Sequence, residues 1–111
     1  MRWKIENTTF DAETGKLTTE VAWEDIPAEV VRGMIQSQVQ EMVDGAARAR
    51  GYRSGEACAT YALSTNPKWK AEAKAFIAWR DDAWRRAFEM IENPPETVEI
   101  AINSIPAIGW P

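Results

Sequence analysis

The stretch NPKWKAEAKAFIAWRDDAWRRAFEMIE, residues 66–92, repeats its apolar residues at the three- and four-residue spacing of one α-helix. Asn66 is a residue type that caps helix N-termini, and Pro67 has the backbone geometry of a first helical position. The pair Pro94-Pro95 then stops the helix. The pattern predicts a central helix from Pro67 to about Glu92. Its inward face comprises Ala73, Phe76, Ile77, Ala83, Trp84, Ala87, Phe88 and Ile91.

Trp79 lies off this inward face. At about 100° per residue it stands about 140° around the axis from Trp84. Either the helix is covered on two sides within its own domain, or this wider flank contacts another molecule, where Trp is enriched as an anchor. The residues of this candidate interface are Trp79, Ala75, Phe76 and Met90 on the helix, together with Trp3, Trp23 and Trp110.

Three further helices are predicted around the central one. Apolar residues from Val31 to Ala46 form a single stripe, so a helix should begin at Pro27 and end before Gly51. Ser54 is the expected cap of a short helix reaching residue 63. An acidic helix over residues 96–104 follows the two prolines, and an apolar tail, residues 106–111, should dock on the core or on a partner.

Residues 2–24 alternate apolar and polar side chains on both sides of a polar turn with Gly15, which predicts a β-hairpin. Trp3 and Trp23 could form a cross-strand pair on one face. A lone two-stranded ribbon is marginal in water, so it must pack on the helices, gain a strand or pair with a neighbouring chain. We expect one α+β, mostly α domain over residues 1–111: an N-terminal β-hairpin (1–25) packed on a three- to four-helix array (26–111).

The composition argues against catalysis. The 111 residues include no histidine, one cysteine and six tryptophans. Imidazole bases, histidine metal ligands, internal disulfides and thiolate zinc sites are therefore excluded. Cys58 is expected to be a small core residue. The sequence predicts no catalytic, cofactor-binding or metal-binding residues and no cofactor.

Neighbouring Asp81 and Asp82 diverge by about 100° on a helix, so they cannot converge on one metal or substrate. Ion pairs with Arg85 and Arg86, respectively, are the expected role of these two carboxylates. The glycine patterns of phosphate-binding loops are also absent.

Charge is unevenly distributed, although the net value is only −4. Residues 1–44 carry 4 basic and 9 acidic side chains, whereas residues 45–86 carry 9 basic and 4 acidic ones. The basic middle segment could face nucleic acid or an acidic partner, or it could face the acidic segments of the same fold. We favour the second alternative because four acidic residues interrupt the basic segment. We expect no nucleic-acid partner. No apolar stretch approaches the ~18 residues of a membrane span, so we also expect no membrane partner.

The second half of the chain resembles a helical module of small bacteriophage tail proteins, found in tail-fibre-associated and tail-fibre-assembly-like proteins. The resemblance rests on Gly51-Tyr52, Ala57-Cys58, Tyr61-Ala62, Ser64-Thr65-Asn66-Pro67, Glu72, Ala75-Phe76, Ala78-Trp79-Arg80-Asp81, Trp84, Ile105-Pro106-Ala107-Ile108 and Trp110-Pro111. The segment with Asn7, Phe10-Asp11, Thr14-Gly15 and Val21-x-Trp23 is similar to the hairpin that opens such proteins.

This resemblance implies a non-enzymatic tail component or tail-fibre assembly factor that acts through protein contacts. Its partners would be other phage tail or fibre proteins and further copies of the chain, in the virion tail or in the host cytoplasm during assembly. A small phage-encoded inhibitor that binds a host enzyme or defence complex is the alternative, because a compact acidic chain suits that role as well.

Overall fold

A computed structural model describes the backbone of residues 2–111 and the side chains of residues 2 and 6–111. A hairpin precedes four helices, which confirms the α+β, mostly α class. None of the described helices combines the length and apolar content that a bilayer crossing requires. The elements are β1 (Arg2–Asp11), β2 (Lys16–Asp25), α1 (Ala28–Ala49), α2 (Gly55–Thr60) with a 3-10 turn (Tyr61–Leu63), α3 (Pro67–Glu92) and α4 (Val98–Asn103).

Local hydrogen bonds fix the helix boundaries where the sequence predicts them. Asn66 Oδ1 accepts from the backbone N–H groups of residues 68 and 69 at 3.0 and 3.2 Å, and Pro67 occupies the first turn of α3. Ser54 Oγ accepts from the third backbone N–H beyond it at 3.1 Å, which starts α2. Gly51 follows α1 with φ at +100°, a left-handed value that favours glycine. The terminal helix α4 is shorter than expected, and its cap is Thr97.

The core lies between α1 and α3, with α2 and α4 covering its two ends. A buried stripe on α1 faces small residues of α3 around one large ring, Phe76. Gly55 of α2 approaches this ring so closely that an added Cβ would lie 3.1 Å from Phe76 Cζ. The principal buried side chains are Ile26, Val31, Ile35, Val39, Val43, Ala47, Cys58, Ala73, Phe76, Ala83, Ala87, Ala101 and Ile105.

The two strands pair antiparallel over their full length, from Arg2 opposite Asp25 to Asp11 opposite Lys16. A four-residue turn ends at Gly15, whose φ is +69° and whose N–H donates to the Asp11 carbonyl at 2.8 Å. We call residues 2–25 the arm and residues 26–111 the helical body.

The arm does not lie on the helices, which corrects the expected packing. Every side chain of the arm that the structure describes is exposed. The molecule is 72 Å long with a radius of gyration of 19.8 Å, against about 13 Å for a compact chain of this size. The arm, about 33 Å long, and α3, about 39 Å long, account for that length end to end. Only Ile26-Pro27 separates β2 from α1, and Pro27 is extended with φ −55° and ψ 143°, so the chain passes from the arm directly into α1.

The observed strand register does not pair Trp3 with Trp23 as expected. Glu24 lies opposite Trp3, and Lys4 lies opposite Trp23. The two tryptophans are therefore not cross-strand partners, because pairing is offset by one position. The side chain of Trp3 lies outside the described residues.

Candidate protein-contact surface

The flank of α3 around Trp79 is covered by the chain's own C-terminal segment. The indole Nε1–H of Trp79 donates to the carbonyl oxygen of Pro106 at 2.8 Å, and its ring centroid lies 6.0 Å from that of Phe76. A shallow groove beside the ring is lined by Met42, Ala46, Ile102, Ile105, Ala107 and Ile108. Of the two alternatives for this wide surface, the structure supports coverage of both sides by the chain's own segments.

An aromatic and ionic anchor holds the end of the chain. Trp110 stacks on Phe76 with centroids 6.3 Å apart and planes 11° apart. Arg50 places its guanidinium carbon 5.4 Å from the centroid of Trp110, and its Nε donates to Glu72 Oε2 at 2.5 Å. Among the described residues, Glu72 is the one charged residue that is buried. The ion pair with Arg50 supplies the partner that a buried carboxylate requires.

The remaining α3 candidates belong to the same internal packing. Phe76 is fully buried, which agrees with its place on the inward face and corrects its inclusion among the candidate interface residues. Met90 is half-buried, and its Sδ accepts from Ser104 Oγ at 3.4 Å. Ala75 is also half-buried. Sequence reasoning had no signal for the anchor, because Arg50 and Glu72 are 22 positions apart.

An exposed apolar surface lies on the arm instead. We call the face that carries Phe10, Leu17, Val21 and Trp23 the arm face; these side chains are 51–71% exposed. They share one face because Phe10 and Leu17 are cross-strand partners and the two other residues follow Leu17 at even spacing. Thr8 and Thr19, which come between the Phe10–Leu17 pair and the Glu6–Val21 pair, place their hydroxyl oxygens 3.2 Å apart on this face.

Of these four residues, only Trp23 was among the interface candidates from the sequence. The alternation of Leu17, Val21 and Trp23 was visible there as the signature of a strand. The same alternation suits a strand packed on helices and a strand that faces solvent. The sequence therefore identified the face but not its exposure.

The arm face is an unusual feature for an isolated chain. Fully burying a side chain of this size contributes about 1.5–3 kcal/mol, and the arm leaves most of that contribution unrealised. Two strands without a covering layer are marginally stable in water. The described sheet consists of β1 and β2 alone, so each strand has one edge without a strand neighbour. Exposed apolar patches of this kind mark contact sites.

The base of the arm touches the helical body through the segment that follows α3. The N–H of Arg2 donates to the carbonyl oxygen of Glu96 at 2.9 Å, and Arg2 Nε lies 3.3 Å from Asp25 Oδ1. An open cleft of about 490 Å³ between them is lined by Arg2, Trp23, Asp25 and residues 94–97. The arm is thereby oriented at its root while the rest of it projects.

Cys58, Asp81 and Asp82, the groups tested for chemistry in the sequence, are engaged structurally. Cys58 is buried, and burial raises the pKa of its thiol to about 11, so the thiol stays protonated at neutral pH. Hydrogen bonds from Arg86 and Arg85 lower the pKa of Asp82, which binds both arginines. The expected Asp82–Arg86 pair is confirmed. Asp81 pairs with the adjacent arginine at position 80 rather than with Arg85.

No cluster of three or more acidic or cysteine side chains within the described residues is arranged to hold a metal ion. Comparison with protein-family models, curated proteins and solved structures finds no match for this chain.

Proposed function

We propose that this chain is a non-enzymatic contact protein of a bacteriophage tail, either a tail component or a tail-fibre assembly factor, and that the arm is its partner-binding element. The observation that carries the contact role is the arm face, an apolar surface on a hairpin that stands clear of its own helical body.

The helical body supports this proposal by providing a rigid base. Its C-terminal end is held by the Trp110–Phe76 stack and by Arg50, and its centre is filled by α1 and α3. A contact element is most effective when a fixed scaffold presents it, because less ordering is then required on binding. The assignment to a phage tail rests on the resemblance of residues 51–111 and of the hairpin to tail-fibre-associated proteins.

The test is complementation of a phage from which this gene has been deleted, with the chain supplied from a plasmid. Leu17→Ser places a hydroxyl on the arm face, and Thr18→Ser is the matched control on the opposite face. Particles are counted and inspected for tails and fibres by electron microscopy, and their proteins are identified by mass spectrometry.

We expect the deletion to yield particles without tails or fibres, Thr18→Ser to restore them, and Leu17→Ser to restore few. Because Leu17 and Thr18 are exposed and lie away from the base where the arm touches the helical body, both variants should give the circular dichroism spectrum of the parent. Complete, fully fibred particles from the deletion phage would refute the tail role. Complete particles with a reduced burst only in hosts carrying a defence system would favour the inhibitor alternative.

A further inference from the structure

We infer that the arm face is covered by a second copy of this chain, and that two antiparallel copies exchange arms, each arm lying along α3 of the other. This inference rests on the proposed contact role of the arm and names its occupant. It follows from three features of the described residues: a complementary track on α3, opposite charges at matching ends, and the area that the exchange buries.

The outward side of α3 carries a track suited to the arm face. Lys70 and Phe88 are eighteen residues apart, which is five full helical turns, so they lie on one line. Phe88 was expected to point inward but is 55% exposed, because α1 covers the alanines beside it. Its ring contacts that of half-buried Trp84 at 6.0 Å. We call this line the α3 track; it comprises Lys70, Lys74, Asp81, Trp84 and Phe88.

The spacing along the arm matches the spacing along the α3 track. From the level of Asp11 to that of Trp23 the arm spans seven residue pairs, or about 23 Å. From the midpoint of the two lysines to the midpoint of Trp84 and Phe88 the helix advances fourteen residues, or about 21 Å. An acidic arm tip above the lysines therefore places Trp23 above the aromatic pair.

The charges favour the antiparallel direction. The arm holds three basic and six acidic residues, and at its tip Asp11 and Glu13 outnumber Lys16, which lies opposite Asp11. Within the part of the chain that the structure describes, neither Lys70 nor Lys74 forms an ion pair shorter than 4 Å, whereas neighbouring Glu72 is bound by Arg50. In each copy the root of the arm adjoins the segment that follows α3. In an antiparallel dimer, the tip of one copy's arm therefore lies at the beginning of the other copy's α3.

The buried area also favours exchange. The arm face is about 33 Å long and roughly 12 Å wide, or about 400 Å². Two arms on two α3 tracks bury about 1,600 Å² over all four surfaces, which is the size of a standard stable interface. Two arm faces stacked on each other would bury only about 800 Å², comparable to a crystal contact, and would bring two acidic tips together.

The first measurement is the mass of the purified full chain by sedimentation equilibrium. We expect about 25 kDa, twice the 12.5 kDa of one chain. Leu17→Ser should weaken the dimer at least about tenfold, and Thr18→Ser should leave it unchanged. A chain that stays monomeric at about 100 µM overturns the inference but leaves the proposed function intact, because the arm face would then bind a different tail protein.

Charge reversal tests the direction. Lys70→Glu should weaken dimerisation about fivefold through repulsion with the acidic tip. Combining Lys70→Glu with Glu13→Lys should restore the affinity. Combining Glu13→Lys with Glu92→Lys, at the other end of α3, should leave the affinity as low as Glu13→Lys alone does. All three substituted side chains, Glu13, Lys70 and Glu92, are exposed, so the variants should fold as the parent does. Affinities unaffected by any of these changes overturn the antiparallel exchange.

Disulfide trapping tests the pairing directly. Chains with Glu13→Cys and chains with Lys70→Cys, mixed and oxidised, should give covalent dimers of unlike chains, and neither variant alone should. Native Cys58 does not interfere because it is buried. Dimers from Glu13→Cys alone would show arms stacked tip to tip and would overturn the exchange. Mixing Glu13→Cys with Glu92→Cys is the control expected to give none.

Discussion

Replacing Arg50 by alanine perturbs the anchor that joins three distant parts of the helical body. Arg50 ends α1, Glu72 lies in the second turn of α3, and Trp110 is the penultimate residue. The guanidinium contacts both the Glu72 carboxylate and the Trp110 ring. The substitution therefore leaves a buried carboxylate without its partner and removes a cation from an aromatic face.

The magnitude follows from burial. Breaking a fully buried ion pair costs about 3–5 kcal/mol because one charge remains uncompensated. The side chain of Glu72 is 6% exposed but that of Arg50 is 36% exposed, so we reduce this to about 2–3 kcal/mol. A domain of this size loses about 4–8 °C in Tm per kcal/mol. Arg50→Ala should therefore lower the Tm by about 10–20 °C.

The assay is thermal and urea unfolding, followed by circular dichroism and tryptophan fluorescence. Arg48→Ala is the matched control, since Arg48 lies two residues earlier and pairs with exposed Glu41 at 2.6 Å. An exposed pair contributes at most about 1 kcal/mol. The double variant Arg50→Ala, Glu72→Gln should be more stable than Arg50→Ala alone, because glutamine leaves no unpaired charge in the buried site. Equal effects of Arg50→Ala and Arg48→Ala would refute the reasoning.

Three further predictions concern the helical body. Gly55→Ala should destabilise the helical body by about 1–3 kcal/mol in urea unfolding, because the new Cβ would lie 3.0 Å from Asp44 Oδ1. Gly33→Ala, whose new Cβ would have no atom within 4 Å, should stabilise it by about 0.5–1 kcal/mol. Cys58 should resist a thiol reagent at pH 8 until urea unfolds the chain, because its pKa of about 11 leaves little thiolate; rapid labelling of folded protein would contradict this. Hydrogen bonds from Gln40 and from the Gly55 N–H lower the pKa of Asp44 below its ordinary 3.8, so its stabilising contribution is complete above about pH 4 and is lost as the pH falls through the lowered value. The stability of Asp44→Asn should accordingly fall less between pH 5 and pH 2, and identical slopes would exclude this role.

Features that depend on neighbouring residues were predictable. The cap at Asn66, the left-handed end of α1 at Gly51 and the Asp82–Arg86 pair each involve groups within four positions of one another. Their geometry follows from helix spacing and backbone conformation alone. The buried state of Cys58 was predictable for a related reason, since its helix presents it on an apolar side.

Features that depend on distant partners were predicted less well. The residues around Trp79 indicated a broad apolar surface, but its neighbour is Pro106, 27 positions away. The Arg50–Glu72 pair gave no local signal for the same reason. The hairpin was recognised from its alternation, yet its register differed by one position from a Trp3–Trp23 pair, because alternation does not specify which residues oppose each other.

The arm shows most clearly where local patterns stop being informative. Alternating side chains predict a strand with one more apolar face, and the residues at positions 10, 17, 21 and 23 supply the apolar side chains of that face. Whether the face is covered depends on the direction in which the chain leaves β2, and Ile26-Pro27 leads directly into α1. Periodicity follows from local backbone geometry, whereas exposure follows from the packing of whole elements. The amino-acid pattern thus specified a hairpin with an apolar side, and the three-dimensional arrangement turned that side into a surface available to a partner.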